Sequence, residues 1–282
     1  MAVTINTNVD SLKIQGILSN STSKLSQSMQ RMSSGLKINK AGDDAAGTVI
    51  AAKMDVQLSG NKIAQNNIQN ASNMLSTVEG NLDVVNDNLA RIRDLTLQAK
   101  NSTYSSDEKD AMQSEIKERI AEIDRVSTSA KYSGQHILDG TLTDVEFQVG
   151  ADAREDNAIK LTEGGIFDSV KFEDLTELDA DSFDVSALDS KGLSAAIGKL
   201  DAAITSIATR KASIGSVDNR LSSALNTLTV QYENLSSSKA VITDADIASE
   251  ASAYTQNQIL QQISVALLAQ ANQAPSIATS LI

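Results

Sequence analysis

Cysteine is absent from all 282 residues, which removes disulfides, thiolate metal sites and thiol nucleophiles together and leaves the redox compartment undecided. Tryptophan is absent too, and aromatic residues reach only 3%. Such a composition suits helix seams of small and aliphatic side chains better than a β-sandwich core. His136 is the sole histidine and Pro275 the sole proline. One imidazole cannot build the usual His-rich metal site, and near Gly134 and Gly140 it reads as a turn residue. Asp43 and Asp44 have no third acid, His or Cys beside them. They are better helix caps than a metal or acid/base pair, so no catalytic, cofactor or metal site is expected and the chain does not read as an enzyme. The net charge of −12 disfavours nucleic acid and anionic lipid as partners.

Charge is missing from one end altogether. After Glu250 the last 32 residues carry none. That stretch is no membrane span, because Gln256, Asn257, Gln258, Gln261, Gln262, Gln270, Asn272 and Gln273 crowd it with amides. The start, Met1 to Gly16, has only Asp10 and Lys13 and no basic lead into an apolar run, so it does not read as a cleavable secretory signal. In contrast, Glu163 to Ser190 holds nine acids and one Lys, −8 of the −12.

What is present is periodicity. Ala64, Ile68, Ala71, Leu75, Val78, Leu82, Val85, Leu89 and Ile92 alternate spacings of four and three, the a/d pattern of a coiled-coil seam. With the good helix formers on either side this predicts a helix of roughly 50 residues, about 75 Å long. A rod of that length needs a partner. Leu193, Ile197, Leu200, Ile204, Ile207, Ile214, Val217, Leu221, Ala224 and Leu228 supply one, with a local stammer past Lys211. The fold class is therefore mainly α, with long coiled-coil helices from the N- and C-terminal halves paired along their length.

Between the rods, Ser105 and Glu108 form a capping box for a second helix carrying Met112, Ile116, Ile120, Ile123 and Val126, ended by Gly134. Val145, Phe147 and Val149, then Ile159 and Leu161, alternate with polar residues and predict a small β-hairpin. The acidic segment has few periodic signals and is expected to lie far from any packed core. Before the first rod, Ile14, Leu18, Leu25, Met29, Met32 and Leu36 form an apolar stripe on a terminal helix, followed by breaks at Gly35, Gly42 and Gly47. The charge-free end carries Ile259, Leu260, Ile263, Val265, Leu267, Leu268, Ile277, Leu281 and Ile282. Two such ends could pair with each other, yet each would keep an apolar, uncharged face in water. Leu18, Leu25, Met32, Ile259, Leu260, Ile263, Leu267 and Leu268 are accordingly candidate self-assembly residues, and Leu75, Val78, Leu82, Val85, Leu89, Ile204, Ile207, Leu221 and Leu228 the candidate intrachain coiled coil.

Several motifs together resemble bacterial flagellin over essentially the whole chain. They are Ile5-Asn6-Thr7-Asn8, Gln30-Arg31-Met32-Ser33-Ser34-Gly35, Ile38-Asn39, Ala41 with Asp43-Asp44-Ala45-Ala46-Gly47, and Phe147-Gln148-Val149-Gly150. Near the other end stand Asp244-Ala245-Asp246, Ala248, Glu250, Gln258-Ile259-Leu260-Gln261-Gln262 and Leu268-Ala269-Gln270-Ala271-Asn272-Gln273. Met32 stands where the family more often has Leu, a volume-conserving change. The resemblance implies an elongated subunit of a helical filament for swimming motility, secreted to the extracellular flagellum. Residues 1–44 and 239–282 would form its inner core, 45–163 and 191–238 its outer core, and 164–190 a reduced variable segment.

The resemblance further implies export as an unfolded chain through the flagellar secretion channel. The implied partners are other copies of the chain, an export chaperone, and cap and hook-associated proteins. Arg91, Leu95 and Glu115 match the family positions recognised by Toll-like receptor 5. A hook–filament junction protein of the same axial family is the alternative reading. The family's zinc-protease variant needs an HExxH motif, which a chain with a single His cannot supply.

Overall fold

The computed structural model describes residues 7–161, 165–180 and 182–279, with side chains up to 273. Ile5, Asn6, Glu163, Gly164, Leu281 and Ile282, and the side chain of Ile277, fall outside that description. Six helices and four short strands follow one another in it: α1 (Val9–Ser34), α2 (Ala45–Ala99), α3 (Ser106–Ser129), β1 (Lys131–Tyr132), β2 (Gln135–His136), β3 (Glu146–Gln148), β4 (Ala158–Lys160), α4 (Phe172–Thr176), α5 (Ser190–Thr243) and α6 (Ile247–Thr279). The mainly α reading holds. Packing divides the chain into two compact units, Met1–Leu58 with Glu233–Ile282, and Ser59–Tyr232.

Local chemistry sets the helix ends. Asn8 caps α1 by accepting from the Ser11 amide, and Gly35 ends it at a φ of 71°, a left-handed conformation that only glycine adopts without cost. Asp44 caps α2 by accepting from the Gly47 amide at 2.9 Å. Ser105 and Glu108 form the full reciprocal capping box at α3. Asp246 accepts from the Ala248 amide at 3.0 Å at the start of α6.

In the second unit, all nine residues of the Ala64 to Ile92 seam are at most 2% exposed. Ile116, Ile120, Ile123 and Val126 of α3 and Leu193, Leu200, Ile207, Ile214, Leu221 and Leu228 of α5 complete one continuous apolar core with them. Polar pairs fix the register of α2 against α5: Arg93 meets Asp201, Lys211 meets Asp83, and Ser72 donates to Asp218. Partner numbers fall along α5 as they rise along α2, so the helices are antiparallel. Both residues around the stammer, Ile214 and Val217, stay buried.

Two expectations need correction. Helix α3 stops at Ser129, not Gly134. Ser133 and Gly134 both have positive φ and form the two-residue turn of a minimal hairpin, β1 with β2, a geometry that matches strand twist. The acidic segment does not lie away from the core. Ile166, Phe167, Val170, Phe172, Phe183 and Val185 are each at most 4% exposed, and the Phe172 and Phe183 rings sit 6.0 Å apart. Sparse apolar residues without helical or strand spacing still find a core when a buried amide fixes the backbone between them. Gln113 on α3 does this by donating to Phe183 O at 2.6 Å and accepting from the Val185 amide at 2.9 Å.

The second hairpin pairs Phe147 with Ile159 and is closed by a Lys160–Glu146 ion pair at 3.0 Å. Gln148 donates to Gly150 O and Asp152 O and organises its turn.

Candidate assembly surface

In the first unit, α1 and α6 lie antiparallel. Asn8 donates to Ala271 O at 2.8 Å and the Ser11 hydroxyl to Asn272 at 3.0 Å. Further along, Gln261 donates to Thr22 at 3.1 Å, and Arg31 pairs with Glu250 at 2.9 Å. Backbone bonds close the far end, from Lys37 N to Thr243 O and from Ala245 N to Gly35 O. The residues buried between the helices are small: Ser11, Ser21, Ser28 and Ser264. Short side chains let two helices approach closely, and close approach leaves no room for leucine at the centre of the contact.

The large apolar residues are therefore displaced outward. Leu18, Leu25, Met32 and Leu268 are half-buried at the margins. Ile259, Leu260, Ile263 and Leu267 are 40% to 51% exposed, with Val265 at 52% on the same helix. On α1, Leu12 and Ile17 are more than half exposed. Neighbouring side chains are amides and hydroxyls, and no charge on α6 after Glu250 competes for this surface. Contiguous apolar surface of this kind marks an interaction face. No helix among the described residues is long and apolar enough to cross a membrane. Among the described residues no group of acids and histidine could hold a metal ion.

The coiled-coil candidates Leu75, Val78, Leu82, Val85, Leu89, Ile207, Leu221 and Leu228 lie in the core of the second unit, with Ile204 half-buried against it. Of the three receptor candidates, Arg91 and Glu115 form a two-pronged ion pair at 2.7 and 3.0 Å between α2 and α3. Hydrogen bonding from Arg91 holds the Glu115 carboxyl below its ordinary range. Leu95 is 3% exposed and belongs to the core, so a single copy presents almost none of it.

Sequence reasoning missed three features. The serine contact between α1 and α6 carries no hydrophobic signal, although serines recurring every seven residues at 21 and 28 were available to find it. The Gln113 clamp and the Arg210 contacts to Asp168 O and Ser169 O join residues far apart in sequence and had no local signal.

The chain matches the bacterial flagellin N-terminal helical region over residues 5–143 and the bacterial flagellin C-terminal helical region over 197–282. It is 34% identical to a flagellar filament 30.7 kDa core protein of Treponema maltophilum, with 95% of each chain covered. It is also 34% identical to a flagellin of Bacillus subtilis, covering 96% of this chain and 97% of that one. Among solved structures, a putative flagellar hook-associated protein from Vibrio parahaemolyticus shares the fold at a TM-score of 0.60 and 14% identity, covering 71% of this chain and 99% of the other.

Proposed function

The chain belongs to the bacterial flagellin family and is a structural subunit of the flagellar filament, and we propose that it polymerises through the exposed apolar faces of α1 and α6. The carrying observation is the inversion in that helix pair, where serines are buried and Ile259, Leu260, Ile263 and Leu267 are left in water. A helix pair can cover only one side of each member. The remaining apolar area gains about 25 cal/mol for each Å² that neighbouring copies remove from water. Leu18, Leu25, Met32 and Leu268, at the margins of the pair, extend the same faces. The α2/α5 coiled coil through Leu82 and its neighbours holds the second unit together.

The finer reading follows from the family. We take 1–44 and 239–282 as the inner core of the polymer, 45–163 and 191–238 as the outer core, and 164–190 as the reduced variable segment. The chain passes unfolded through the flagellar secretion channel, a chaperone shields the apolar end before export, and cap and hook-associated proteins meet the ends of the filament. Arg91, Leu95 and Glu115 form a receptor contact for Toll-like receptor 5 only if Leu95 becomes accessible.

Adding short filament seeds to purified monomer, beside a variant lacking residues 251–282, tests the assembly reading by light scattering and negative-stain microscopy. Long filaments from the full chain alone are expected. Equal growth by both would transfer assembly to the second unit and overturn the role given to α6.

A further inference from the structure

Neither cysteine nor tryptophan occurs in the chain, so its six methionine thioethers are the side chains that a two-electron oxidant attacks first. Met1 falls outside the described residues, and the other five differ sharply in access. Met74 is 7% exposed in the core of the second unit, Met112 packs against that core, and Met54 is half-buried on α2. Met29 on α1 is 52% exposed, and Met32 is half-buried one turn further on. The most accessible thioether among the described residues therefore stands on a helix whose apolar side is left open.

Register places Met29 on that open side. Leu25, Met29, Met32 and Leu36 follow one another at spacings of four, three and four, which puts them on one stripe of α1. Cover along the stripe is graded. Ser28 beside it is closed against α6, Leu25 and Met32 are half-covered at the margin, and Met29 and Leu36 stand in water.

Resting on the filament reading above, we infer that Met29 is a peroxide-sensitive modification site that sets whether a free subunit can join the polymer. The thioether sulfur attacks one oxygen of hydrogen peroxide with a lone pair. An S–O bond forms as the O–O bond breaks, the transferred oxygen gives its proton to the departing hydroxide, and the products are a sulfoxide and water. Sulfur is oxidised by two electrons and peroxide is reduced by two. In the monomer the sulfoxide oxygen stays hydrated, so the fold tolerates it. A neighbouring copy that covers α1 has to strip that water among aliphatic side chains, and burying a polar oxygen without a donor is unfavourable. In the assembled state the same cover keeps peroxide from the sulfur. The site thus discriminates against oxidised free subunits and spares assembled ones.

The test treats wild type, Met29→Leu and Met32→Leu monomers with dilute hydrogen peroxide, removes the oxidant, and reads each methionine by peptide mass spectrometry. Seeded elongation then gives the critical concentration of each protein, treated against untreated. Met29 should oxidise several-fold faster than Met74, and treatment should raise the critical concentration of wild type and of Met32→Leu by about tenfold. That of Met29→Leu should not move. Untreated Met29→Gln, which carries a polar side chain of similar length, should elongate poorly while melting as wild type does by circular dichroism. If untreated wild type fails to extend seeds, the filament reading falls, and this site with it. If wild type elongates but Met29 oxidises equally fast in filaments and in monomer, the residue is not covered on assembly and the inference is wrong. Equal loss in treated Met29→Leu would move the effect to another methionine, and full elongation by Met29→Gln would show that polarity at this position is irrelevant to assembly.

Discussion

The two units are both built from antiparallel helices, and they invert each other's use of side chains. The second buries leucine, isoleucine and valine along a heptad seam and faces water with charge. The first buries serine, and it leaves isoleucine and leucine in water. Their charges differ as sharply: the first unit holds seven basic and eight acidic residues, a net of −1, against seventeen and twenty-eight in the second, a net of −11. A helix pair can thus be completed inside one molecule or left to be completed by others. The choice is written in which residues occupy the contact.

The widest separation should come from truncating one apolar residue in the core. Leu82→Ala, at a fully buried seam position, should cost about 2–5 kcal/mol and lower the melting temperature by about 5–15 °C. Differential scanning calorimetry of the monomer would show it. A shift under a degree would mean that the seam is not what holds the second unit together.

Next comes the acidic segment. Gln113→Ala leaves Phe183 O and the Val185 amide without their buried partner, and should cost about 1–3 kcal/mol. Hydrogen exchange at residues 183–185 should speed up before that of α2. If exchange there is unchanged, the segment is held by its phenylalanines alone.

The contrast sharpens with Ile263→Ser on the first unit. Its side chain is 48% exposed, so the monomer should melt within about 0.5 kcal/mol of wild type. Assembly should lose about 1 kcal/mol for each such face covered, several-fold in critical concentration. A monomer destabilised as much as by Leu82→Ala would erase the distinction between the units.

The smallest effect belongs to the exposed Arg91–Glu115 pair. The folded-state value of Glu115 is depressed from 4.5, so the stability it adds is present above that value and is lost as pH falls through the folded value. Glu115→Gln should cost under about 1 kcal/mol at pH 7 and nothing once the carboxyl is protonated. Melting curves of the two proteins should therefore converge on acidification. Curves that stay parallel would remove the ion pair from the stability of the second unit.

Much of the fold was legible because local rules and global packing agree there. The seam from Ala64 to Ile92, the Ser105–Glu108 box and the alternation around Phe147 and Ile159 each needed only neighbours in sequence to declare a helix, a start or a strand. The exposed apolar faces of α1 and α6 were legible in part, since an end without charge that carries this many apolar residues stands out from an ordinary soluble surface. The division between units was not legible. It falls at Leu58 and Tyr232, inside the continuous helices α2 and α5, where no break in pattern marks it.

By itself the sequence determined the long helices, the caps at Asp44 and Ser105, the pairing of the two rods along their length and the family. Those follow from period, capping residues and composition, each readable within a few turns of chain. Only the tertiary structure decided which side of α1 and α6 is closed, and that the acidic segment enters the core through Gln113. Each of these depends on which distant groups come within about 3 Å of one another, and no periodicity carries that distance.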